Sequence, residues 1–526
     1  MWSRNMVKHT SGALLVFGLC LQLTHAANIL AVFSYSFPSP FLLVAPYMKA
    51  LVQKGHQVTI ISAKNHLANI DGARHIRVEM LDQLMEDLLN YDFGKEFPLS
   101  KWQEAMIMAE FFYNSSRYIL TDAGVQSLIQ DKSAHFDMVI VQASLTDALY
   151  GFAPFYNTSL VGLSVYGTAW NIDYLAGNKA PSVYEPMSPD GYSNGLGLLQ
   201  KLKNWIYITE EWLLEQLVYL PTQMQLYKRF FNKSAESLYN IRRNFSLMLI
   251  NQHFSLGRAR SNVPNVIEVA GMHLENPSDQ LDDDLQRFVD EADHGVIIFS
   301  MGMEITGKWL PPDWLLIMQE IFAQLPQRVV WKYEQAPPNK SENIYISPML
   351  PQRALLAHPK VKLFITHGGA LSIIEGAYYG VPMLCFPMYY DHFGNAERMK
   401  HAGLAQIQGI LTITVESTRN AIKELIKNPV YAQNAQQMSK RLRDQPMSPL
   451  DTAVWWTEYV LRHKGAPHMR ISEEDMSFVQ YYSLDFILVF FVRFGVAILI
   501  ITCVGLKLLS FLLKPSHILS SAPLLN

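Results

Sequence analysis

A chain of 526 residues is too long for one ordinary domain, and at roughly 150 residues per domain two large domains are expected. Hydrophobic residues make up 49 % of the chain, so large cores can form, and a net charge of −3 gives no electrostatic case for nucleic-acid binding. Cys385 is alone in the middle of the chain, because Cys20 and Cys503 lie in apolar end segments. An intramolecular disulfide framework is therefore excluded there.

The N-terminus has the pattern of a secretory signal. Basic residues precede an apolar run over residues 13–23, and Thr24 and Ala26 provide the small residues of a cleavage site. We therefore predict a signal peptide over residues 1–26. The alternative is a first transmembrane helix, but the run is too short to span a bilayer.

A second apolar segment, residues 486–506, is long enough to predict a C-terminal transmembrane helix in contact with membrane lipid. Arg493 inside it would cost about 2.5–3.5 kcal/mol if held at the bilayer centre, but it can extend to the interface. The alternative is a buried or interfacial helix. Because Lys507 and Lys514 follow the segment, the positive-inside rule places the tail, residues 507–526, in the cytosol. We expect a single-pass type I protein of the endoplasmic reticulum membrane with a lumenal folded part.

Five Asn-x-Ser/Thr sequons lie between the two apolar segments, all on the side predicted to be lumenal. Such sequons are acceptors for N-glycosylation in secreted chains, so their position agrees with the predicted topology. The candidate sites are Asn114, Asn157, Asn232, Asn244 and Asn339.

Apolar runs alternate with a helical pattern in the first half of the chain. The predicted strands cover residues 28–33, 57–62, 136–141 and 160–164. A helix over residues 42–54, which Gly55 stops, separates the first two strands. Short apolar runs of this kind are typical of buried parallel strands, so a doubly wound α/β domain is predicted.

Residues 171–243 have a different character, with long helical patterns and many aromatic side chains. One interpretation is ordinary helix packing in the core. The other is that part of this surface forms an apolar pocket for a ligand or leans on the membrane.

A second α/β series begins near Gly295. Its predicted strands cover residues 296–300, 328–332, 361–366 and 383–386, and its helices cover 313–323 and 370–379. The polar stretch 275–284 separates the two series, so we predict domains over residues 27–284 and 285–470. Helices between residues 418 and 456 are expected to close the second domain. Ligands of open parallel sheets bind beyond the carboxyl ends of the strands, so the chemistry is expected in the loops there.

The most informative loop follows the strand that ends at Thr366. Gly368 and Gly369 let a phosphate approach the backbone, and the next helix presents free N–H groups and the positive end of its dipole. His367 at the mouth of the loop can donate a hydrogen bond to the same diphosphate. Taken alone, the His-Gly-Gly sequence would favour an ordinary glycine turn.

The surrounding motifs extend this pattern. Leu-Pro-Gln at residues 350–352 and Leu-Ala-His-Pro at 356–359 precede the turn, and Gly-Val-Pro at 380–382 and the stretch 387–395 follow it. With these motifs the chain resembles the UDP-glycosyltransferase family, which includes the UDP-glucuronosyltransferases, over nearly its whole mature length, and insect members look closest. The resemblance implies an α/β GT-B fold, in which two Rossmann-like domains face a cleft. It also implies a UDP-sugar donor on the C-terminal domain and a small lipophilic acceptor on the N-terminal domain.

The resemblance implies a donor site residue by residue. The implied positions are Ser300 and Gly302 near the phosphates, His367, Gly368 and Gly369 at the diphosphate, Gln352 near the nucleoside, Glu375 at the ribose, and Asp391, His392 and Asn395 around the sugar. Met349 stands where the family often has a tryptophan. Neither a cofactor nor a metal is expected, because the UDP-sugar is a co-substrate and a helix dipole with a histidine can stabilise the departing UDP. The sequence is compatible with association into a homo-oligomer.

Two positions of the acceptor domain depart from the family. Pro40 replaces a histidine of the first βα loop, and Gln142 replaces the acid after the third apolar strand. An inverting transferase that acts on an alcohol or phenol wants a base near the acceptor. Asp147 could substitute as the catalytic group, or it could be a solvated helix residue. The chain is therefore expected to be a transferase that uses another base, or whose acceptor, such as an amine, does not need the usual base. The alternative is a weakly active or non-catalytic binder of lipophilic ligands.

The donor sugar is left open among three hexoses. Glucose comes first, because it is the usual donor of the insect members that the chain resembles. His392 stands where glucose-using and glucuronate-using members have glutamine, which makes galactose the alternative. Arg260 matches a family arginine that could meet the carboxylate of glucuronate.

Overall fold

The computed structural model describes residues 26–513, apart from 36–37, 64–69, 91–99, 179–196, 232–235, 258–259, 276–279, 306–308, 312, 335–339, 471–478 and 480–483. Most of the predicted signal peptide, the sequons at Asn232 and Asn339, and all but the first seven residues of the predicted tail lie outside the described residues. The chain divides into a large unit that ends at Ile471 and a C-terminal unit that begins at Ser472.

The first half of the large unit is built on a parallel sheet of seven strands in the order β3-β2-β1-β4-β5-β6-β7. The strands are β1 Asn28–Val32, β2 Gln57–Ser62, β3 Arg74–Arg77, β4 Met138–Gln142, β5 Ser159–Ser164, β6 Phe245–Ile250 and β7 Val266–Glu268. The central strands β4 and β6 are buried along their whole length, as expected for a parallel sheet that is covered on both faces.

Helices cover both faces of this first sheet. They are α1 Pro38–Gln53, α2 Glu79–Asn90, α3 Lys101–Thr121, α4 Ala123–Gln130, α5 Phe152–Phe155, α6 Trp170–Ala176, α7 Leu198–Leu214, α8 Leu220–Phe230 and α9 Leu238–Arg242, with a π-helical turn Glu215–Tyr219 between α7 and α8. The first helix begins four residues before its predicted start at residue 42. Pro38 and Pro40 are accommodated there because the first turn of a helix has no intrahelical partner for its N–H groups.

The second half of the large unit contains a parallel sheet of six strands in the order β10-β9-β8-β11-β12-β13. The strands are β8 Val296–Ser300, β9 Arg328–Lys332, β10 Ile344–Ser347, β11 Val361–Thr366, β12 Met383–Cys385 and β13 Ala405–Ile407. The flanking helices are α10 Asp283–Asp290, α11 Trp314–Ala323, α12 Gln352–Ala357, α13 Ala370–Tyr379, α14 Asp391–His401, α15 Val415–Lys427 and α16 Pro429–Arg443. The prediction of two doubly wound α/β sheets is confirmed.

The last helix of the large unit, α17 Pro449–His463, returns to the first sheet. Its buried residues Ala453 and Val460 belong to the same apolar cluster as Leu247 of β6. The hydroxyls of Thr457 and Tyr47, the latter on α1, are 2.6 Å apart. The expectation that the helices up to residue 456 close the second domain is therefore wrong for α17, because its apolar face is complementary to the first sheet.

The C-terminal unit contains one long apolar helix, α18 Leu484–Leu512. The helix has 29 residues, and its most apolar 18-residue stretch has a mean hydropathy of 2.8 and is not buried inside the structure. At about 1.5 Å per residue a helix of this length exceeds the roughly 30 Å of a bilayer core. The helix includes the predicted span over residues 486–506 and is a candidate membrane anchor by length and composition.

Candidate active site

A cavity of about 1070 Å³ lies between the two sheets of the large unit. Loops at the carboxyl ends of β4 and β5 line one side of it, and loops at the carboxyl ends of β8, β9, β11 and β12 line the other. These are the positions where open parallel sheets bind ligands. Of the predicted donor residues, the structure brings Ser300, Gly302, Met349, Gln352, His367, Gly369, Glu375, Asp391 and His392 to the cavity wall.

The turn between β11 and α13 is shaped around the ring of His367. Gly368 has φ +90°, which a residue with a side chain rarely adopts, and Gly369 is the N-cap of α13. A Cβ on Gly369 would collide with Nε2 of His367, and a Cβ on Gly302 would lie 2.7 Å from its Cε1. The imidazole is thus fixed between two glycine turns, which belong to different strands of the sheet.

Burial sets the protonation state of His367. Burial, followed by the positive charge of Lys332, lowers the pKa of this imidazole to about 3. The ring is therefore neutral near pH 7 and offers an N–H donor without a positive charge. The positive charge of this region comes instead from Lys332, the last residue of β9, which lines the cavity. The sequence reasoning missed Lys332, although it ends a predicted strand where ligands were expected.

Glu375 connects the Leu-Pro-Gln motif at residues 350–352 with the loop that carries His273. The Nε2 of Gln352 donates to one carboxylate oxygen at 2.6 Å, and His273 Nε2 lies 3.1 Å from the other. Arg353 donates to the backbone oxygen of His273 at 2.6 Å, which fixes the loop that carries this imidazole. The buried carboxylate is held at the cavity wall with both oxygens in use. Met349 lies at the rim and is 62 % exposed, so it can contact a ligand without reorganisation of the core.

Asp391 caps the helix that follows the glycine turn. Its Oδ2 accepts from the N–H of Ala370 at 3.1 Å and from Nδ2 of Asn395 at 2.6 Å. Asn395 also donates to the backbone oxygen of Gly368 at 3.0 Å, so it ties α14 to the turn. Burial raises the pKa of the Asp391 carboxyl to about 7, and the hydrogen bonds from Asn395 and Ala370 oppose this increase.

His392 is buried next to His367. Its ring lies edge-on to that imidazole at 4.5 Å and against Tyr389 at 4.4 Å. Its Nδ1 is buried without a hydrogen-bond partner among the described residues. Burial, followed by the proximity of His367, lowers the pKa of His392 well below its usual range. His392 lines the cavity, and a neutral imidazole, with one donor and one acceptor, is suited to a hydroxyl ligand.

The predicted catalytic candidate Asp147 lies elsewhere. It is 2 % exposed, forms an ion pair with Nε of Arg242, and is not among the residues that line the cavity. Arg242 also binds Glu215, so one guanidinium bridges two carboxylates. The structure therefore contradicts both readings of Asp147, as a base and as a solvated helix residue, because its carboxylate is used inside the protein.

The two departures from the family pattern offer no base either. Pro40 lines the cavity from the first turn of α1. Gln142 is buried at the end of β4, where its Oε1 accepts from the N–H of Tyr35 at 3.2 Å. Glu304, which sequence reasoning did not single out, brings a carboxylate to the cavity wall beside Pro40, where it accepts from the hydroxyl of Ser39.

Arg260 and the described sequons also lie away from the cavity wall. The Arg260 guanidinium is buried in an ion pair with Asp173, because this charge needs a partner inside the protein. Asn157 and Asn244 are exposed, and Asn244 Oδ1 accepts from Arg470. Asn114 is half-buried within α3, where its Oδ1 accepts from Arg117 at 3.1 Å.

Comparison with solved structures identifies the architecture. The chain superimposes on the glycosyltransferase VinC, solved in complex with DTDP, with a TM-score of 0.55 and 16 % identity over 83 % of this chain and 100 % of that one. The glycotransferase of kitacinnamycin matches with a TM-score of 0.55 and 17 % identity over 82 % of this chain and 98 % of that one. Two facing parallel sheets with this topology define the GT-B fold, as predicted.

The sequence comparison is more specific. The sequence model described as "UDP-glucoronosyl and UDP-glucosyl transferase" matches residues 38–515. UDP-glycosyltransferase UGT5 of Dactylopius coccus is 31 % identical over 493 residues, which cover 93 % of each chain. Human UDP-glucuronosyltransferase 2B15 is 29 % identical over 86 % of this chain and 88 % of its own. The chain therefore belongs to the UDP-glucoronosyl and UDP-glucosyl transferase family and is a hexosyltransferase, which confirms the predicted resemblance.

Proposed function

We propose that the protein transfers a hexose, with glucose first, from a UDP-sugar to a small lipophilic acceptor, with inversion at the anomeric carbon and without a metal or cofactor. The observation that carries this proposal is the turn from Thr366 to Ala370. A neutral imidazole, two glycines and the N-terminus of a ten-residue helix meet there at the wall of a cavity between two sheets. Together they form a site for a diphosphate.

The proposed donor pose follows the cavity wall. The diphosphate lies on residues 367–369 and on Ser300 and Gly302, with Lys332 supplying a positive charge for the departing UDP. The ribose lies on Glu375, because each of its two oxygens has a second lone pair that can accept from a vicinal hydroxyl in addition to Gln352 or His273. The sugar lies against Asp391 and His392. Electrostatic stabilisation of the leaving group by Lys332 and the helix N-terminus supports a metal-independent reaction.

The proposed acceptor lies on the side of the first sheet. Tyr35 packs edge-on against Phe112 at 5.9 Å and against Tyr166 at 5.4 Å, and all three rings line the cavity. Tyr219 and Met108 extend the same wall. An aromatic and aliphatic surface of this kind favours a lipophilic molecule, because burial of its apolar area is worth roughly 25 cal/mol per Å².

For the sugar, glucose remains first and galactose second. The description of the matched family includes UDP-glucosyl enzymes, and the human relative is a glucuronosyl enzyme. His392 in place of glutamine supports galactose as the alternative, because an imidazole offers its donor and acceptor at a different angle from a planar amide. Glucuronate ranks lowest, since Arg260 is already paired with Asp173.

We also propose the cellular setting. Helix α18 anchors the protein in the endoplasmic reticulum membrane as a type I protein, with a signal peptide over residues 1–26, the tail 507–526 in the cytosol and the catalytic part in the lumen. The exposed side chains of Asn157 and Asn244 support glycosylation at those two sequons. Endoglycosidase treatment should shift the gel mobility of the expressed protein. No shift, combined with full protease sensitivity in intact microsomes, would contradict this orientation.

A second candidate function is a weak or non-catalytic binder of lipophilic ligands. The specific observation in its favour is that Pro40 and Gln142 cannot act as a base. The discriminating experiment measures UDP release from UDP-glucose, UDP-galactose and UDP-glucuronate by the membrane-embedded protein, with a panel of phenols, alcohols and amines. The transferase proposal expects acceptor-dependent UDP release. UDP binding without release for any acceptor would support the binder.

A further inference from the structure

Glu304 places a carboxylate on the cavity wall beside Pro40. It is only 7 % exposed and follows the glycine turn after β8. The hydroxyl of Ser39, the residue before Pro40, donates a hydrogen bond to Oε1 of Glu304. This bond crosses the cleft between the two sheets, and both residues line the cavity.

We propose that Glu304 is the catalytic base of the transfer, in the place where Pro40 leaves the first βα loop without a titratable group. This inference rests on the proposed transfer to an alcohol or phenol. The carboxylate accepts the proton of the acceptor hydroxyl while the acceptor oxygen bonds to the anomeric carbon. The bond from that carbon to the phosphate oxygen breaks, and its electron pair leaves with UDP. Glu304 then releases the proton to solvent, so the products are the glycoside, UDP and a proton.

The surroundings place this carboxylate at the reacting end of the cavity. Glu304 lies two residues after Gly302, and a Cβ on Gly302 would lie 2.7 Å from Cε1 of His367. The segment that carries Glu304 therefore lies against the turn assigned to the diphosphate. The hydrogen bond from Ser39 holds the carboxylate against the acceptor side of the cleft, whereas Glu304 itself belongs to a loop of the donor side. The carboxylate therefore lies between the two proposed ligands, as a base for this reaction must.

The electrostatic environment supports the same role. Burial raises the pKa of Glu304, and hydrogen bonds from Ser39 and the charge of Lys332 only partly oppose this increase. Tyr166 and Tyr389 remain neutral, because burial raises the pKa of each phenol well above its usual range. A carboxylate with a raised pKa is a stronger base. It acts only when deprotonated, so activity must fall as the pH drops through its pKa.

A purely structural role of Glu304 would give different effects when the residue is substituted. Ser39 lies in the first turn of α1, so the Glu304 carboxylate also caps that helix and links the two sheets. Loss of a cap would lower stability or slow every acceptor equally. Loss of a base affects weakly acidic acceptors most, because an acidic phenol is already largely ionised and an alkyl alcohol is not.

The test measures kcat/KM against pH for the full-length protein and Glu304→Gln, with an alkyl alcohol and an acidic nitrophenol as acceptors. We expect a loss of about 10²–10⁴-fold for the alcohol and a loss under about tenfold for the nitrophenol. The acidic limb of the pH profile should no longer differ between the two acceptors, because a limb set by the Asp391 carboxyl is common to both. The Kd of UDP should stay within about twofold. In the Glu304→Gln background, Pro40→His should restore part of the alcohol activity.

Two further variants separate the base from the cap. Ser39→Ala removes a hydrogen bond that lowers the pKa of Glu304, so its acidic limb should persist and move to higher pH. Asp122→Asn changes a carboxylate that caps α4 outside the cavity, and it should leave both acceptor rates unchanged. Thermal unfolding of each variant confirms that it is folded.

The outcomes are distinct. Equal losses for both acceptors, with acidic limbs that still differ between them, would overturn the base role and leave Glu304 as a cap. If the parent transfers sugar and Glu304→Gln matches it, only the base role fails. If the parent binds UDP but transfers to no acceptor, the proposed function fails, and the base role fails with it.

Discussion

The ring of His367 lies 2.7 Å from where a Cβ on Gly302 would stand, so the two loops fit together only because Gly302 has no side chain. Gly369 is under the same constraint from its own turn. The position of this imidazole therefore depends on two glycines that follow different strands, β8 and β11. The donor site is a composite of both turns rather than a property of the His-Gly-Gly motif alone.

Gly302→Ala should weaken UDP binding. The new methyl group would displace the His367 ring, and φ +85° would strain any side chain at this position. Loss of a hydrogen bond to a charged phosphate costs about 1.5–3 kcal/mol, which is roughly a tenfold or larger increase in Kd. Calorimetric titration with UDP measures the effect. Gly197→Ala is the matched control, because a Cβ there meets nothing within 4 Å. A Kd equal to that of the parent would show that the His367 ring does not contact the diphosphate.

Asp391→Asn should abolish sugar transfer while stabilising the fold at alkaline pH. Both described hydrogen bonds to this carboxyl reach Oδ2, so an amide oxygen can replace it. The pKa of the Asp391 carboxyl is raised to about 7 in the folded state, from roughly 3.9 in an unfolded chain. The free energy of unfolding of the parent protein therefore decreases as the pH rises across that window. The Tm of the variant minus that of the parent should therefore increase between about pH 4 and pH 7 and stay level above it. A difference that does not vary with pH would contradict the raised pKa.

Asp147→Ala should destabilise the protein by about 3–5 kcal/mol, because it leaves the buried Arg242 charge with one partner fewer. Denaturant unfolding in detergent measures this loss. The protein that remains folded should keep the parent kcat, since Asp147 does not line the cavity. Asp137→Ala removes a half-exposed carboxylate and serves as the comparison. A variant of parental stability that has lost its turnover would restore Asp147 as a catalytic group.

His392→Gln should shift the donor preference toward glucose. His392 lines the cavity, so its neutral imidazole can pair with a sugar hydroxyl at a different angle from a glutamine amide. An unpaired buried polar group costs roughly 1–3 kcal/mol, so the ratio of galactose to glucose transfer should fall about tenfold. Competition between the UDP-sugars measures this ratio, with the exposed His401→Gln as the control. Galactose transfer absent from both proteins, together with unchanged glucose transfer, would rule out His392 as a donor selector.

Much of the fold could be predicted because its strands are short apolar runs that alternate with helices. The predicted strand over residues 361–366 and the helix over 370–379 have the observed bounds. The loop after a parallel strand was the correct place to look for the site. The sequence did not predict Lys332 at the cavity, because a lysine at the end of a strand is typical of any strand boundary. Its position on the cavity wall follows from the pairing of β9 with β8.

Contacts between distant parts of the chain could not be predicted from the sequence. The pairing of Ser39 with Glu304 depends on how the two halves face each other, which local periodicity does not encode. The same holds for Asp147, whose partner Arg242 follows a long helical insertion. The return of α17 to the first sheet was missed for this reason too, because an amphipathic helix does not specify which of two sheets it covers.

The most direct test of the account is calorimetric binding of UDP to the full-length protein, to His367→Ala and to Glu375→Ala. The central claim is that UDP lies on the turn after β11, with its ribose on Glu375. Each variant should raise the Kd of UDP about tenfold or more, whereas Glu416→Ala on the surface of α15 should not. The KM of the acceptor should change little, since the acceptor lies on the other sheet. If both variants bind UDP as tightly as the parent does, the donor site is not at this turn.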